Sequence, residues 1–358
     1  MAAYLLLAAL LIALPFLVGA GLGRSWVRVL DFVLLYAMLA LGLNIVVGYA
    51  GLLDLGYIAF YALGAYLFAW LGSPHFGLHL PFWLVLPLGA LLAGVFGVLL
   101  GAPTLRLRGD YLAIVTLGFG EIIRIFMNNL NAPVNITNGP QGINLIDPIR
   151  LGGFSLGQTT ELFGISLSSP HLYYYLFLIL TLATVFVALR LQDSRIGRAW
   201  AAIREDEVAA AAMGINTRNI KLLAFAIGAM FGGLAGGLFA AFQGFISPES
   251  FNLMESIMIL CMIVLGGMGN IPGVLLGAFL LTVLPEALRY VGDWQRAVLG
   301  HVPVDPNDLR MLLFGFAMVL MMLYRPAGLL PSRQRKREFA AEDSVAEQEQ
   351  ASLYDAKA

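Results

Sequence analysis

Catalytic or metal chemistry would have to reside on histidine, cysteine, lysine or carboxylate side chains, and in this sequence they are sparse. The four histidines, His75, His79, His171 and His301, all fall in or beside segments that read as external loops. His75 and His79 stand four apart, the spacing of a helical ligand pair, but Pro74 and Pro81 flank them and no acid lies near. No metal quartet emerges. Cys261 is the single cysteine, which excludes an internal disulfide or a Cys-x-x-Cys site. A phosphate-binding P-loop needs a lysine after glycine, and Lys221, Lys336 and Lys357 follow Ile, Arg and Ala instead. Energy from ATP would therefore need another polypeptide. Asp31, Asp54 and Glu255 are expected near the ends of apolar runs, where water or headgroups can solvate them. Glu121 and Arg124 lie deeper in LAIVTLGFGEIIRIFMNNL, three apart on one helix face, where each lowers the other's insertion cost. These scattered groups form no carboxylate cluster of the kind a proton-driven carrier would use.

The elements that carry these residues are hydrophobic to a degree no water-soluble globule shows. Of 358 residues, 59% are hydrophobic and 12% charged, against roughly 45–50% and about 25% in soluble domains. Mean hydropathy is +0.83. A net charge of -1 offers no basic surface for nucleic acid. Forty glycines without a Gly-X-Y period point to close helix packing and broken helices.

Crossing about 30 Å of hydrocarbon takes about 20 mostly apolar residues, because only intrahelical bonds satisfy backbone groups there. Ten stretches read this way, near 3–22, 28–47, 52–71, 82–101, 111–130, 172–190, 220–241, 253–268, 273–291 and 309–324. No Lys or Arg precedes the first, so it reads as a retained span rather than a signal peptide. The expected fold class is thus all-α, a polytopic integral membrane protein of about ten transmembrane or re-entrant helices, with residues 1–330 as one transmembrane domain.

Cationic short loops stay in the cytoplasm. Arg190, Arg195, Arg198, Arg204, Arg218 and Lys221 mark one loop, Arg106 and Arg108 a second, and Arg325, Arg333, Arg335, Lys336 and Arg337 the tail. Even numbers of spans separate the three, which places both termini and 192–218 in the cytoplasm and 131–171 outside. Arg24 and Arg28 then violate the rule. Either the chain near Gly48 to Gly56 is re-entrant or two arginines are outvoted. The outer segment, rich in Asn, Gly and Pro, is either a contact surface or a floppy loop. The polar tail 331–358 is expected to be disordered.

The polar insert from Arg190 to Ala229 reads as a short amphipathic helix. Ala199, Trp200, Ala202 and Ile203, followed by Val208, Ala211 and Ala212, form its apolar stripe, with Gly214 and Asn216 as the stop. Such a helix either docks in a soluble partner's cleft or lies in the headgroup layer. In GYAGLLDLGY, Gly48, Gly51 and Gly56 permit bending, while Asn44 and Asp54 can satisfy amides freed by a break. A broken helix beside a solute path and simple small-residue packing are both open. Gly269, Pro272 and Gly273 suit a tight turn followed by a proline-started helix, and Gly232, Gly233, Gly236 and Gly237 make a packing face.

The insert resembles the coupling region of permease subunits in ABC importers, whose form is roughly E-A-A, three residues, then Gly. Ala209, Ala210 and Gly214 match, whereas Glu207 stands one place early and Val208 occupies the glutamate position. GLNIVVGYAGLLDLGYIAFYALGAY at 42–66, TLRLRGDYLAIVTLGFGEIIR at 104–124, NITNGPQGI at 135–143 and GGMGNIPGVLLGA at 266–278 resemble the branched-chain amino acid importer permeases, of the LivM type rather than LivH. The likeness covers about residues 27–330. It implies a non-enzymatic pore subunit for leucine, isoleucine, valine or a similar small uncharged or zwitterionic solute. It also implies four partners: a paralogous second permease, two cytoplasmic ATPases that use the ATP, and an external solute-binding protein. This chain would bind no cofactor of its own. Within that scheme Trp200, Ile203, Val208 and Met213 would pack in the ATPase cleft, Arg204 with Glu207 would set register, Arg198 would belong to the same coupling surface, and Asn44, Gly48, Gly51, Asp54, Gly56, Gly269, Pro272 and Gly273 would border the path. A stand-alone ion-coupled carrier using Glu121 or Glu255 is the competing class.

Overall fold

The computed structural model describes residues 2–104, 107, 109–151, 154–162, 165–299, 306–325 and 327–332. Arg106, Arg108, His301 and the tail from Arg333 onward lie outside the described residues. The helices are α1 (Ala2–Gly21), α2 (Arg24–Asn44), α3 (Ile58–Leu71), α4 (Phe82–Thr104), α5 (Asp110–Asn129), α6 (Ser169–Gln192), α7 (Arg195–Glu205), α8 (Glu207–Ala212), α9 (Thr217–Gln243), α10 (Leu253–Gly266), α11 (Ile271–Leu299) and α12 (Pro306–Tyr324).

Six helical segments among the described residues are long and apolar enough to cross a membrane: Arg24–Tyr49, Phe82–Thr104, Ser169–Gln192, Thr217–Gln243, Pro248–Gly266 and Ile271–Tyr290. That is fewer than the ten apolar stretches of the sequence. The expected span at 52–71 shows one reason for the difference. Its helix, α3, has 14 residues, or about 21 Å of rise, because the chain from Ala50 to Tyr57 is irregular.

The core is built around α2, whose Leu35, Met38, Leu39, Leu41 and Leu43 are fully buried, with α6, α9, α10 and α11 against it. A second focus joins α3, α4 and α9. There small residues let backbones touch. A Cβ on Gly236 would overlap the Tyr61 carbonyl of α3, and one on Gly233 would press on Ala93 and the Gly89 carbonyl of α4. The glycine run expected to be a packing face is one, since dispersion between closely approaching backbones replaces the hydrophobic drive that lipid removes.

The segment between α5 and α6 departs from the all-α expectation. It contributes to three antiparallel two-stranded ribbons: β1 (Ile143–Asn144) with β6 (Phe245–Ile246), β2 (Arg150–Leu151) with β3 (Phe154–Ser155), and β4 (Thr160–Leu162) with β5 (Ile165–Leu167). Hydrogen bonds pin it to the bundle. Asp147 N–H donates to the Gly72 carbonyl at 2.7 Å, Trp70 Nε1–H to the Ile136 carbonyl at 2.8 Å, and Thr137 Oγ1 to the Met127 carbonyl at 2.7 Å. Strand pairing over two or three residues has almost no periodic signature, so the sequence could not announce it.

The glycine contacts make a stability contrast. Gly236→Ala, which forces α9 away from α3, should lower the thermal unfolding midpoint in detergent by several degrees, equivalent to about 1–3 kcal/mol. Gly315→Ala on α12, where an added Cβ meets nothing within 4 Å, should leave it unchanged or slightly raised.

Candidate functional site

The polar insert is two helices set at a break rather than one amphipathic helix. Ser194 caps α7 by accepting the Gly197 N–H at 3.1 Å. Asp206 then leaves helical geometry, at φ -153° and ψ 112°, and its Oδ1 accepts the N–H groups of Val208 at 2.8 Å and Ala209 at 3.0 Å. Its carboxylate satisfies two otherwise orphaned donors of α8. At the far end Gly214 takes φ +85°. Its N–H donates to the Ala211 carbonyl at 3.0 Å, and Ile215 N–H to the Ala210 carbonyl at 3.1 Å, the paired bonds of a Schellman stop.

The break separates the expected stripe into two directions. Trp200 and Ile203 turn inward and are buried. The Trp200 indole N–H donates to the Ile220 carbonyl at 2.8 Å, and its ring packs with Ile45, Tyr49, Ala50, Ala224 and Phe231. They are committed to this chain's own core, which corrects their expected place in a partner's cleft. Helical phase is lost at Asp206, so spacing across it carries no facial information. Val208 and Met213 point the other way, 69% and 84% exposed. Ala209 is exposed beside them and Ala210 is buried. Glu207 pairs within the chain, its Oε1 lying 2.6 Å from the Nζ of buried Lys221. Arg198 is exposed and donates to the Asp193 carbonyl at 2.9 Å.

Beneath α7 lies the end of α2. Residues Ile45–Tyr49 widen into a π-turn, with Ala50 N–H reaching the Ile45 carbonyl at 3.2 Å and Leu52 N–H the Val46 carbonyl at 3.0 Å. This wider turn accompanies a Gly48 carbonyl turned out of the ladder, and Arg204 Nη1 donates to it at 2.7 Å. Gly51 follows at φ +69°, where an added Cβ would meet the Arg204 stem. Asn44 Oδ1 accepts the N–H of Gly269 at 2.9 Å. Gly269, at φ +78°, belongs to the turn between α10 and α11, and Pro272 stands in the first turn of α11. Gly273 lies so close to Gly266 that neither admits a Cβ. The two residue sets that the sequence treated as separate, insert and path, thus meet. A cleft of about 470 Å³ opens where they join, among Gly48, Gln192, Arg198, Arg204 and Asn270.

Asp54 and Gly56 belong to a neighbouring contact. Asp54 Oδ1 accepts the Gly56 N–H at 2.9 Å, Leu55 N–H donates to Thr116 Oγ1 at 3.0 Å, and Gly56 abuts the Thr116 carbonyl and Gly120 of α5. Asp206, Lys221 and Thr116 are the site residues that sequence reasoning missed. Only Asp206 had a local signal, an N-cap acid before an alanine run. Among the described residues no group of His, Cys, Asp and Glu could hold a metal ion.

The sequence profile of the branched-chain amino acid transport system permease component matches residues 25–322. The chain belongs to this family. Over 334 residues it is 46% identical to the high-affinity branched-chain amino acid transport system permease protein LivM of Escherichia coli, covering 90% of this chain and 73% of that protein. The LivM protein of Salmonella typhimurium is 44% identical over 349 residues, 94% and 76% of the two chains. The paralogous LivH of Escherichia coli is 27% identical over 302 residues, 82% and 91%. The chain is therefore a LivM-type transport permease. No solved structure matches it.

Removing the Asp206 cap tests the two-helix reading of this permease's insert. Asp206→Ala should weaken α8 by about 1 kcal/mol, seen as roughly fivefold faster amide exchange at residues 208–213, with the core of α9 unaffected.

Proposed function

We propose that this chain forms half of the solute passage of an ATP-driven importer of branched-chain amino acids or closely similar zwitterions, in the cell's inner membrane. The observation that carries the reading is the insert's double attachment. Val208 and Met213 form an exposed apolar tip on the short second helix, while Arg204, four residues before Val208, holds the broken end of α2. Rimmed by the exposed charges of Glu205 and Asp206, this tip supports a protein contact. A motor that grips the tip can pull on the break.

In this scheme two ATPase subunits bind and hydrolyse ATP in the cytoplasm. A paralogous permease completes the passage, and an external solute-binding protein delivers the cargo. The chain contributes no bound cofactor and catalyses no reaction. The arginines at 190, 195, 198, 204 and 218 favour a cytoplasmic insert, and counting the ten apolar stretches of the sequence from it puts both termini on that side. Arg204 meeting Gly48 supports the same orientation, since it brings the end of α2 to the insert's end of the bundle.

Coexpression with the two ATPases, the second permease and the binding protein tests the proposal. ATP-dependent leucine uptake should appear in proteoliposomes holding the whole assembly. Gradient-driven leucine flux by this chain alone would refute it. Two variants separate the arms of the insert. Val208→Glu with Met213→Glu should abolish co-purification of the ATPases while leaving the chain folded, because two carboxylates would be buried without partners. Arg204→Ala should keep the ATPases attached yet lower leucine moved per ATP about tenfold, since the Gly48 carbonyl loses its donor, a loss of about 1–3 kcal/mol.

A further inference from the structure

Helix α5 lies outside the six segments above but fills the apolar stretch read from the sequence as a span near 111–130, and it carries charge part-way along. By helical rise Glu121 lies about 16 Å and Arg124 about 21 Å along a helix about 30 Å long. Arg124 Nε and Nη2 each stand 3.0 Å from Glu121 Oε2, and Nη1 stands 3.5 Å from Oε1 of Glu249, which follows α9. The pair is not enclosed. The Arg124 and Glu121 side chains keep 28% and 32% of their exposure, and they interrupt a bare apolar stripe in which Tyr111, Ile114 and Ile125 are 71%, 64% and 52% exposed. One turn toward the start of the helix, an added Cβ on Gly118 would meet nothing within 4 Å. One turn beyond Arg124, the Asn128 Oδ1 is buried and accepts no hydrogen bond.

Hydrocarbon is a poor neighbour for such a pair, since intramembrane charges face a bundle interior or a watered pathway. The stripe alone would suit lipid; the charges on it do not. The irregular segment after the π-turn lies directly behind them, packed on Thr116 and Gly120 of the same helix.

We propose that Glu121 and Arg124 receive the two charged ends of the solute inside the membrane, the ammonium on Glu121 and the carboxylate on Arg124. This rests on the reading of the solute as a free α-amino acid. A zwitterion can exchange one internal ion pair for two pairs of its own without changing the site's net charge, the condition for moving charge through low dielectric. A singly charged solute cannot. Glu249 keeps the guanidinium partnered while Glu121 turns to the ammonium.

The chain's single cysteine, Cys261, is buried, so an introduced thiol can be read on this subunit's own band without interference from within the chain. In the complete reconstituted assembly, Gly118→Cys should react with a charged, water-soluble methanethiosulfonate. Leucine applied directly at millimolar concentration should slow that reaction about fivefold, whereas leucinamide and isocaproate, each lacking one charge, should slow it little, because an unpaired charge is not accepted there. Glu121→Gln and Arg124→Gln should each cut uptake about tenfold in assemblies of full subunit composition. An introduced thiol that fails to react, meaning that lipid or the second permease covers the stripe, overturns the assignment. So does equal protection by all three compounds, or wild-type uptake in both glutamine variants. Wild-type assemblies that take up leucine while the Gly118→Cys thiol stays untouched sink this inference alone; wild-type assemblies that take up none sink the functional reading beneath it.

Discussion

A carbonyl released from a helix inside a membrane must find a donor in the protein, because hydrocarbon supplies none. The π-turn at Ile45–Tyr49 releases such groups, and the rest of the structure is arranged around satisfying them. Arg204 reaches across from the insert to the Gly48 carbonyl, and Asn44 answers the buried N–H of Gly269 in the turn between α10 and α11. Three parts of the chain far apart in sequence are tied together by these two bonds. Glycine at 48 and 51 is what admits the Asn44 and Arg204 side chains, so the composition of the break follows from its partners as much as from its bend.

That constraint explains why the insert carries two helices with opposite tasks. The first turns Trp200 and Ile203 into the bundle and brings Arg204 to the break. The second begins afresh on the Asp206 cap and ends on Gly214, presenting Val208 and Met213 to solvent. Lys221 and Glu207 fasten it to the start of α9. A single continuous helix could not do both, since its apolar stripe would point one way throughout. The departure of Glu207 from the family's glutamate position fits this arrangement, because that carboxylate is already engaged within the chain.

Elsewhere the bundle relies on backbone contact. Glycines on α9 meet carbonyls and glycines of α3 and α4, giving dispersion contact in a solvent where burying apolar surface brings little advantage. The short α3 and the irregular 50–57 segment sit against this rigid block. Closely packed backbones resist deformation, and the α10–α11 turn shares that tight packing through Gly266 and Gly273.

Much of this was legible from the residues alone. Hydropathy announced a membrane protein, since lipid's demand for long apolar helices is written residue by residue. GYAGLLDLGY permitted a break without deciding it, and Gly214 announced a helix stop, because glycine chemistry is local. The Ala209, Ala210 and Gly214 spacing, with four further motifs in order, pointed to the family to which the chain belongs. What no local pattern held was which groups answer one another. The Arg204 contact with Gly48 spans 156 positions and that of Asn44 with Gly269 spans 225, and hydrogen bonds at such separations depend on how helices pack. The inward turn of Trp200, the ribbons of the segment before α6 and the uncovered face of α5 were likewise settled by packing. Periodicity describes one helix at a time, whereas a site belongs to several at once.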